Sequence, residues 1–459
     1  MISNFLRKNE NSVLFKALCI SLLVFGIGLY YTNANKNIKF SSKEILLDFP
    51  AYYIAGTSIA KGLSPYENQN TENISKELRI TYTEFRSFLY PPQSLLLFRE
   101  LAKYPILESQ RLFTLWKEIV LFFTICFLSY SISNLPSRNE VQSNKNTYHF
   151  LGFLGLALFL SSILWPFRND FINGQINILI FTVLCISFLM SEKYPILSGF
   201  ILSIGILLKL SPILILPYFL FRSRVSVIIS TIFFGILITL VSIYAFGYDL
   251  HLYYLNNLIF GTVSGDTISN LGWPYSVVHN QSIKGFFHRL FVSDYVDPYF
   301  GTEVLLNAPL IGKSISFCLV FYILYLSIRA TLPPINSLNR ITFLNSIPGL
   351  NLKEDSNYLI FGFFLSGSLL ISPLSWVHHK VLLLFPILVC LHKILYTETN
   401  WKRFTSYLLI IILSVILLSI NHLYPYNKIP ILGILVSYIH LIGNLLVFFV
   451  LHNMLKNKF

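Results

Sequence analysis

Charged side chains are scarce in this chain: only 12% of its 459 residues are Asp, Glu, Lys or Arg, about half the share found in soluble domains. The mean hydropathy is +0.63, and apolar stretches of about 20 residues recur along the whole length. The polar intervals between them leave no room for a soluble domain. The composition therefore predicts a polytopic membrane protein and excludes a water-soluble enzyme.

The chain also lacks the short motifs of soluble catalysis. It contains no D-x-D, no H-E-x-x-H and no G-x-S-x-G sequence, so metal-dependent sugar-nucleotide chemistry, zinc proteolysis and serine hydrolysis are not indicated. All five cysteines lie in apolar runs without a C-x-x-C pair, which gives no zinc site. The sequence predicts neither a metal nor a cofactor.

Twelve apolar segments are candidates for membrane spans. They are residues 12–31, 111–134, 148–165, 174–190, 194–208, 211–221, 225–246, 308–330, 357–373, 381–397, 404–420 and 431–452. The fifth and sixth are short and are separated by Lys209-Leu210-Ser211-Pro212, so they form either two spans or one re-entrant hairpin. We expect an all-α bundle of about 10–12 transmembrane helices. The first segment also resembles a signal peptide, but a retained span suits a chain with this many spans.

Basic residues alternate between the two sides of these spans. One side carries those of the N-terminus, Arg138, Lys145, Lys193, Arg222, Arg224, the stretch 329–353, Lys402, Arg403, Lys456 and Lys458. The positive-inside rule makes this the cytoplasmic side of the cell membrane, with both termini inside. The net charge of +13 is explained by these flanks, so no nucleic-acid partner is predicted. We treat residues 1–459 as one domain with two long outer loops, 32–108 and 247–307, that carry interfacial helices.

The unusual polar clusters all fall on the predicted outer side. Asp48 precedes the aromatic segment that starts at Phe49-Pro50. It is either a helix N-cap or a carboxylate general base at the membrane face, and one residue can serve both purposes. Its position predicts a functional surface that faces away from the cytoplasm.

Cationic residues occur at two other points of this side. His378, His379 and Lys380 begin an apolar run, and Lys209 lies between two short spans. Interfacial anchoring and snorkelling explain such residues without any function. The functional alternative is a phosphate-binding pocket at headgroup depth, to which broken helix ends would also contribute.

Amide side chains form the third group. Asn173 and Gln175 open the fourth predicted span, and Asn280 with Gln281 lies in the second long loop. Amides both donate and accept hydrogen bonds, as sugar hydroxyls require, but they are also ordinary helix caps.

Taken in order, these segments resemble glycosyltransferase family 87, the GT-C membrane enzymes that include polyprenol-phosphate-mannose-dependent α-mannosyltransferases. The matching elements are "DFPAYYIAGTSIAKGLSPY", "YPPQSLLLFRELA", "NGQINILIFTVLCISFL", "LSGFILSIGILLKLSPILILPYFL", "HNQSIKGFFHRL" and "ISPLSWVHHKVLLLFP". They cover most of residues 48–390. Lys380 departs from the family pattern, in which an apolar residue more usually follows the histidine pair.

The resemblance implies a GT-C-type bundle whose first outer loop carries the catalytic acid, here Asp48. It implies a polyprenyl-phosphate-linked sugar donor, a glycolipid or glycan acceptor, and inversion at the anomeric carbon. Under this hypothesis the group formed by His378, His379, Lys380 and Lys209 binds the donor phosphate. Sugar or acceptor contacts would come from Tyr52, Tyr53, Tyr90, Asn173, Gln175, Asn280 and Gln281.

The main alternative is a transporter or flippase of a lipid-linked solute, because broken helices such as the one at Lys209 also occur at transporter sites. A transporter is expected to place polar groups near the bilayer midplane and to show an internal repeat. Here the ionisable groups lie towards one face and no repeat is evident. The sequence therefore favours a membrane glycosyltransferase.

Overall fold

The computed structural model describes residues 12–80, 88–135, 147–259, 267–268, 273–277, 279–292, 304–331, 354–421, 433 and 437–456. Its helices are α1 (Val13–Ser41), α2 (Phe49–Ala60), α3 (Asn68–Glu77), α4 (Leu95–Leu101), α5 (Ile106–Ser133), α6 (Thr147–Ile163), α7 (Trp165–Asn173), α8 (Asn177–Met190), α9 (Pro195–Leu208), α10 (Leu216–Phe221), α11 (Val225–Phe246), α12 (Tyr248–Tyr253), α13 (Ile283–Phe291), α14 (Pro309–Thr331), α15 (Glu354–Ile371), α16 (Leu384–Tyr396), α17 (Trp401–Ser419) and α18 (Ile439–Lys456). Short 3₁₀ segments are Pro92–Ser94, Ser211–Ile215 and Val377–Leu383, and a π-helical turn covers Tyr254–Ile259. Two strands of two residues each, β1 (Thr267–Ile268) and β2 (Trp273–Pro274), pair in antiparallel orientation. The expected all-α membrane architecture is confirmed.

Within the described ranges, seven helical segments are long and apolar enough to cross a membrane, or eight if the bent pair α6 and α7 is one span. Four shorter apolar segments, Asn177–Met190, Pro195–Leu208, Ser211–Phe221 and Ser356–Ile371, coincide with four predicted spans. Each is too short to cross a membrane on its own, so the total of 10–12 transmembrane helices stays a prediction. The basic residues at the chain ends, within 1–11 and 457–459, and most of the basic stretch 329–353 lie outside the described residues.

Burial separates a central helix from peripheral ones. The apolar window of Val377–Tyr396 is 94% buried, whereas those of α1, α11 and α14 are 17%, 22% and 22% buried. A helical segment that protein encloses on nearly all sides lies in the core of a bundle. The peripheral helices instead expose large apolar side chains. Such exposure is unfavourable in water and favourable in the hydrocarbon core of a bilayer.

The first helix is longer than its hydropathy indicated. The apolar run ends near Tyr31, but α1 continues to Ser41. Two polar side chains of this extension bond to neighbouring helices: Asn33 donates to the Ser162 carbonyl oxygen at 2.9 Å, and Asn37 donates to Glu118 at 2.9 Å. These tertiary hydrogen bonds stabilise a helical end that local composition alone did not predict.

Helix α2, which the sequence suggested as interfacial, is largely buried. Phe49, Tyr52 and Ala55 are at most 1% exposed. At Gly56 the backbone of α4 approaches so closely that an added Cβ would lie 2.6 Å from the Phe98 carbonyl carbon. This close packing of α2 against α4 forms one wall of the region around Asp48.

Candidate functional site

The segment that carries Asp48 is held by a buried glutamine and by the end of α7. Gln110, which is fully buried, accepts from the Leu46 backbone N–H at 3.2 Å and donates to the Ser41 and Glu44 carbonyl oxygens at 2.6 Å each. The Asp48 backbone N–H donates to the Asn173 carbonyl oxygen at 2.7 Å. The position of Asp48 is therefore fixed by two sets of contacts to its segment: those of Gln110 before it and that of the Asn173 carbonyl oxygen to its own N–H.

A left-handed glycine ends α7 and presents the residue that follows it. Gly174 has φ +70°, and the Gln175 N–H donates back to the Asp170 carbonyl oxygen at 2.9 Å, as in a Schellman motif. A Cβ on Gly174 would lie 2.7 Å from the Phe49 Cβ. Asn173 and Gly174 thus close α7 instead of opening the next span, which begins at Asn177.

Gly174→Ala should destabilise the protein by about 1–3 kcal/mol, because the alanine would combine an unfavourable φ with a clash against α2. Gly62→Ala is the matched control, since Gly62 has φ +75° with open space around its Cβ position. The apparent unfolding temperature of each variant in detergent micelles measures the difference. Equal losses for the two variants would show that the contact with Phe49 contributes nothing.

Asp48 belongs to a buried hydrogen-bond network. Its side chain, 6% exposed, accepts from Gln175 Nε2 at 2.7 Å. Gln175 Oε1 lies 2.8 Å from the Tyr52 hydroxyl and 2.9 Å from the Tyr90 hydroxyl. Burial raises the pKa of both phenols, so they stay protonated. Each phenol has one hydrogen to donate: Tyr52 donates to the Tyr90 hydroxyl at 2.7 Å, and Tyr90 donates to Gln175 Oε1. The tyrosines orient the amide so that its NH₂ group faces the carboxylate.

The carboxylate of Asp48 does not cap its helix. No side-chain hydrogen bond joins it to the first turn of α2, although its residue occupies the N-cap position. The capping alternative is therefore limited to the backbone, and the carboxylate is instead positioned by Gln175.

A fully buried ion pair lies directly behind this network. Lys117 Nζ is 2.9 Å from Asp170 Oδ1, and both side chains have no exposed area. Lys117 also donates to the Gln175 carbonyl oxygen at 2.9 Å, and Asp170 Oδ2 accepts from the Asn177 backbone N–H at 3.0 Å. The pair therefore links α5 to the turn that presents Gln175.

Two predicted phosphate-binding residues meet on the far side of the same network. Lys209 Nζ lies 2.7 Å from Asn177 Oδ1 and 2.8 Å from His379 Nε2. It also lies 5.8 Å from the centre of the Tyr90 ring. Lys209 points into the protein rather than snorkelling outwards. The side chain of Asn177 lies between its amino group and the Asp170 carboxylate.

The two histidines point to different neighbours. Residues 377–383 form a 3₁₀ helix, in which successive side chains diverge by roughly 120°. His379 therefore reaches Lys209, while His378 Nδ1 lies 3.2 Å from Asn169 Oδ1 and 3.4 Å from Asn173 Nδ2. The two contacts of His378 join the central helix to α7.

Other predicted site residues form a separate group. Lys380, 1% exposed, donates to Ser375 Oγ at 2.8 Å, and the Ser375 N–H donates to Asn280 Oδ1 at 3.0 Å. Gln281 bonds to the backbone at Ser437 and Leu441. These contacts join the predicted second outer loop to the central helix and to α18.

Tyr53 also has its hydroxyl directed elsewhere. It donates to the Tyr104 carbonyl oxygen at 2.8 Å, at the end of the loop after α4. This contact joins α2 to the loop between α4 and α5. The adjacent residue Tyr52 instead contacts Gln175.

Sequence reasoning missed three polar residues of the network, Gln110, Lys117 and Asp170. Asn177 belongs to the amide-rich stretch that starts at Asn173, but it was not predicted as a site residue. A signal was available for Lys117, because an ionisable residue inside a predicted span is a functional candidate by itself. Among the described residues no group of three or more His, Cys, Asp or Glu side chains is arranged to hold a metal ion.

Comparison with known families agrees with this picture. The model of glycosyltransferase family 87 matches residues 88–344, more than half of the chain. The matched region contains Tyr90, Gln175 and Lys209, whereas Asp48 and His379 lie outside it. A search of curated proteins finds no match. The chain belongs to glycosyltransferase family 87 and is a multi-pass membrane glycosyltransferase.

Proposed function

We propose that the protein transfers a hexose, with mannose as the first candidate, from a polyprenyl-phosphate donor to a hydroxyl group of an extracytoplasmic glycolipid or glycan. The anomeric configuration is inverted and Asp48 is the general base. The observation that carries this proposal is the buried Asp48 carboxylate, oriented by Gln175 at 2.7 Å in a chain that belongs to a glycosyltransferase family.

The reaction requires one base and one stabilised leaving group. The acceptor oxygen attacks C1 of the sugar from the face opposite the phosphate. Its proton passes to a carboxylate oxygen of Asp48. The bond from C1 to the phosphate oxygen breaks, and the lipid phosphate departs with the electron pair. Since a phosphate dianion is a stable product, it needs nearby positive charge rather than a general acid.

Lys209 and His379 are the proposed contacts for that phosphate. Their nitrogen atoms are 2.8 Å apart, and His379 borders a narrow cleft that is also lined by Ser211 and Ser372. Lys209 is connected to Asp48 through Asn177, Asp170 and the turn at Gln175. A donor that spans this distance would place its phosphate at one end of the network and its sugar near the other.

The direct test is a transfer assay with membranes that contain the protein. Radiolabelled polyprenyl-phosphate mannose and lipids extracted from the native cells are supplied, and labelled product is extracted and counted. We expect transfer from the lipid donor and none from GDP-mannose. Transfer from GDP-mannose alone would contradict the proposed donor class, and a failure of several polyprenyl-phosphate sugars would contradict the proposed function.

Lys209→Met should raise the apparent KM for the lipid donor or lower kcat, by about tenfold or more in kcat/KM, because a charge-assisted contact to the phosphate is lost. Lys76→Met is the control, since Lys76 is an exposed lysine of the first outer loop. Initial rates at varied donor concentration measure the effect. Unchanged kinetics in the Lys209 variant would remove this residue from the donor site.

A further inference from the structure

A groove and a cavity that the transfer reaction does not use lie at the C-terminal end of α1. The open groove has a volume of about 690 Å³ and the adjoining cavity about 270 Å³. Both are lined by Lys36, Phe40 and Ile172, so they are adjacent, and we consider them together as one depression. The groove runs along the outside of the segment that leads to Asp48, while the cavity extends inwards between α1, α5 and α7.

The groove combines exposed apolar side chains with an excess of positive charge. Its apolar surface includes Phe40, Ile45 and Leu47, which are 41%, 44% and 53% exposed. Lys36, Lys39 and Lys43 border the same surface, and Glu44 is the acidic residue among those that line it. Exposed apolar residues next to lysines are typical of protein surfaces at a membrane interface, where the lysines attract anionic lipid.

The cavity is polar at its inner end. Glu118, 6% exposed, accepts from the Tyr30 hydroxyl at 3.0 Å and from Asn37 Nδ2 at 2.9 Å. Each carboxyl oxygen thus has one protein donor and can accept a second hydrogen bond. Asn33 and the hydroxyl-bearing residues Ser161 and Ser162 also line the cavity. These groups suit an occupant that carries hydroxyl groups.

Arg168 is a second basic residue of the cavity, besides Lys36, and it is exposed. Positive charge is therefore concentrated at the mouth, while the carboxyl group of Glu118 is inside. An occupant that matches this order needs a negative group at the mouth, hydroxyl groups inside and an apolar part along the groove.

We propose that this depression binds an anionic phospholipid with a hydroxylated headgroup, of the phosphatidylglycerol type. Its phosphate contacts Lys36 and Arg168, its glycerol headgroup donates to Glu118, and an acyl chain lies along Phe40, Leu47 and Ile172. The proposal does not depend on the transfer reaction, because it concerns binding alone. The lipid would nevertheless lie beside the backbone that places Asp48, since Leu47 and Ile172 directly precede Asp48 and Asn173.

Equilibrium binding of radiolabelled lipids to the purified full-length protein in neutral detergent micelles tests the charge requirement. We expect phosphatidylglycerol to bind about tenfold more tightly than phosphatidylcholine, given the attraction of several basic residues for an anionic lipid. The triple variant K36Q/K39Q/K43Q should lose most of this preference. The control variant K193Q/K402Q/R403Q removes the same number of exposed charges elsewhere and should keep it. Equal affinity for the two lipids, or equal losses in the two variants, would overturn the proposal.

A second comparison tests whether the headgroup enters the cavity. Phosphatidic acid carries the anionic phosphate without a glycerol headgroup. Glu118→Gln should weaken phosphatidylglycerol binding about threefold and leave phosphatidic acid binding unchanged. Ser162→Leu, which adds volume at the cavity wall and leaves the Glu118 side chain unchanged, should have the same selective effect and covers the case in which the Glu118 variant fails to fold. If neither folded variant separates the two lipids, the cavity does not hold the headgroup and the proposal is wrong.

Discussion

Asp48→Asn is expected to lower the rate of sugar transfer by about 10²–10⁴-fold, the usual contribution of a general base. The asparagine keeps the size of the side chain, and its Oδ1 can still accept the hydrogen bond that Gln175 Nε2 donates at 2.7 Å. The backbone contact of residue 48 to Asn173 is unaffected. The variant should therefore fold normally while losing the proton acceptor.

The measurement compares wild type and variant in the polyprenyl-phosphate mannose assay, with protein amounts matched by immunoblot and apparent unfolding temperatures recorded. Asp249→Asn is the control, since Asp249 is an exposed acidic residue at the start of α12. Equal transfer by wild type and the Asp48 variant would remove Asp48 from catalysis. A large fall in unfolding temperature would instead show that its carboxylate is needed for the fold.

Lys117→Met should be the most destabilising single change, at about 3–5 kcal/mol, because it leaves Asp170 as an uncompensated charge in a buried site. The two side chains have no exposed area and lie 2.9 Å apart. Lys103→Met removes one member of an exposed pair with Glu100, whose side chains are 63% and 50% exposed. Exposed pairs contribute about 0–1 kcal/mol, so this variant is the control.

The double variant K117M/D170N distinguishes loss of the pair from loss of packing. Because it removes both charges, it should recover a large part of the stability lost in Lys117→Met, as measured by unfolding temperature in detergent micelles. Its transfer rate should stay below that of wild type, since Lys117 also donates to the Gln175 carbonyl oxygen. The buried-pair interpretation fails if Lys117→Met loses no more stability than Lys103→Met, or if the double variant is less stable than the single one.

Membrane-spanning segments could be predicted well where their apolar surface faces outwards. Residues 225–246 and 308–330 were predicted from hydropathy, and the helices are Val225–Phe246 and Pro309–Thr331. Hydropathy averages over neighbouring residues, so it succeeds where the whole segment is apolar. It failed to show that α1 continues to Ser41, because that extension depends on hydrogen bonds to residues far along the chain.

The site was predicted only in part. Asp48, Gln175 and Lys209 were named from motif and position, and the structure joins them through one network. Lys117 and Asp170 were missed, since nothing in the sequence pairs a lysine of a predicted span with one of several polar residues in the stretch 168–177. Asn280, Gln281 and Lys380 were named as site residues, but their described contacts join loops and helices in a separate group. A motif shows that a polar residue is unusual, but it does not show which atoms the side chain will meet.

The sequence by itself determined that this chain is an all-α membrane protein and that it resembles glycosyltransferase family 87, because both properties depend on composition and on short, ordered motifs. Only the tertiary structure decided which polar groups share an environment. Asp48 and Gln175 are 127 residues apart in the chain, and Lys209 and His379 are 170 apart. Contacts at such separations depend on how the helices pack, and a buried polar group is stable only when packing supplies its partners.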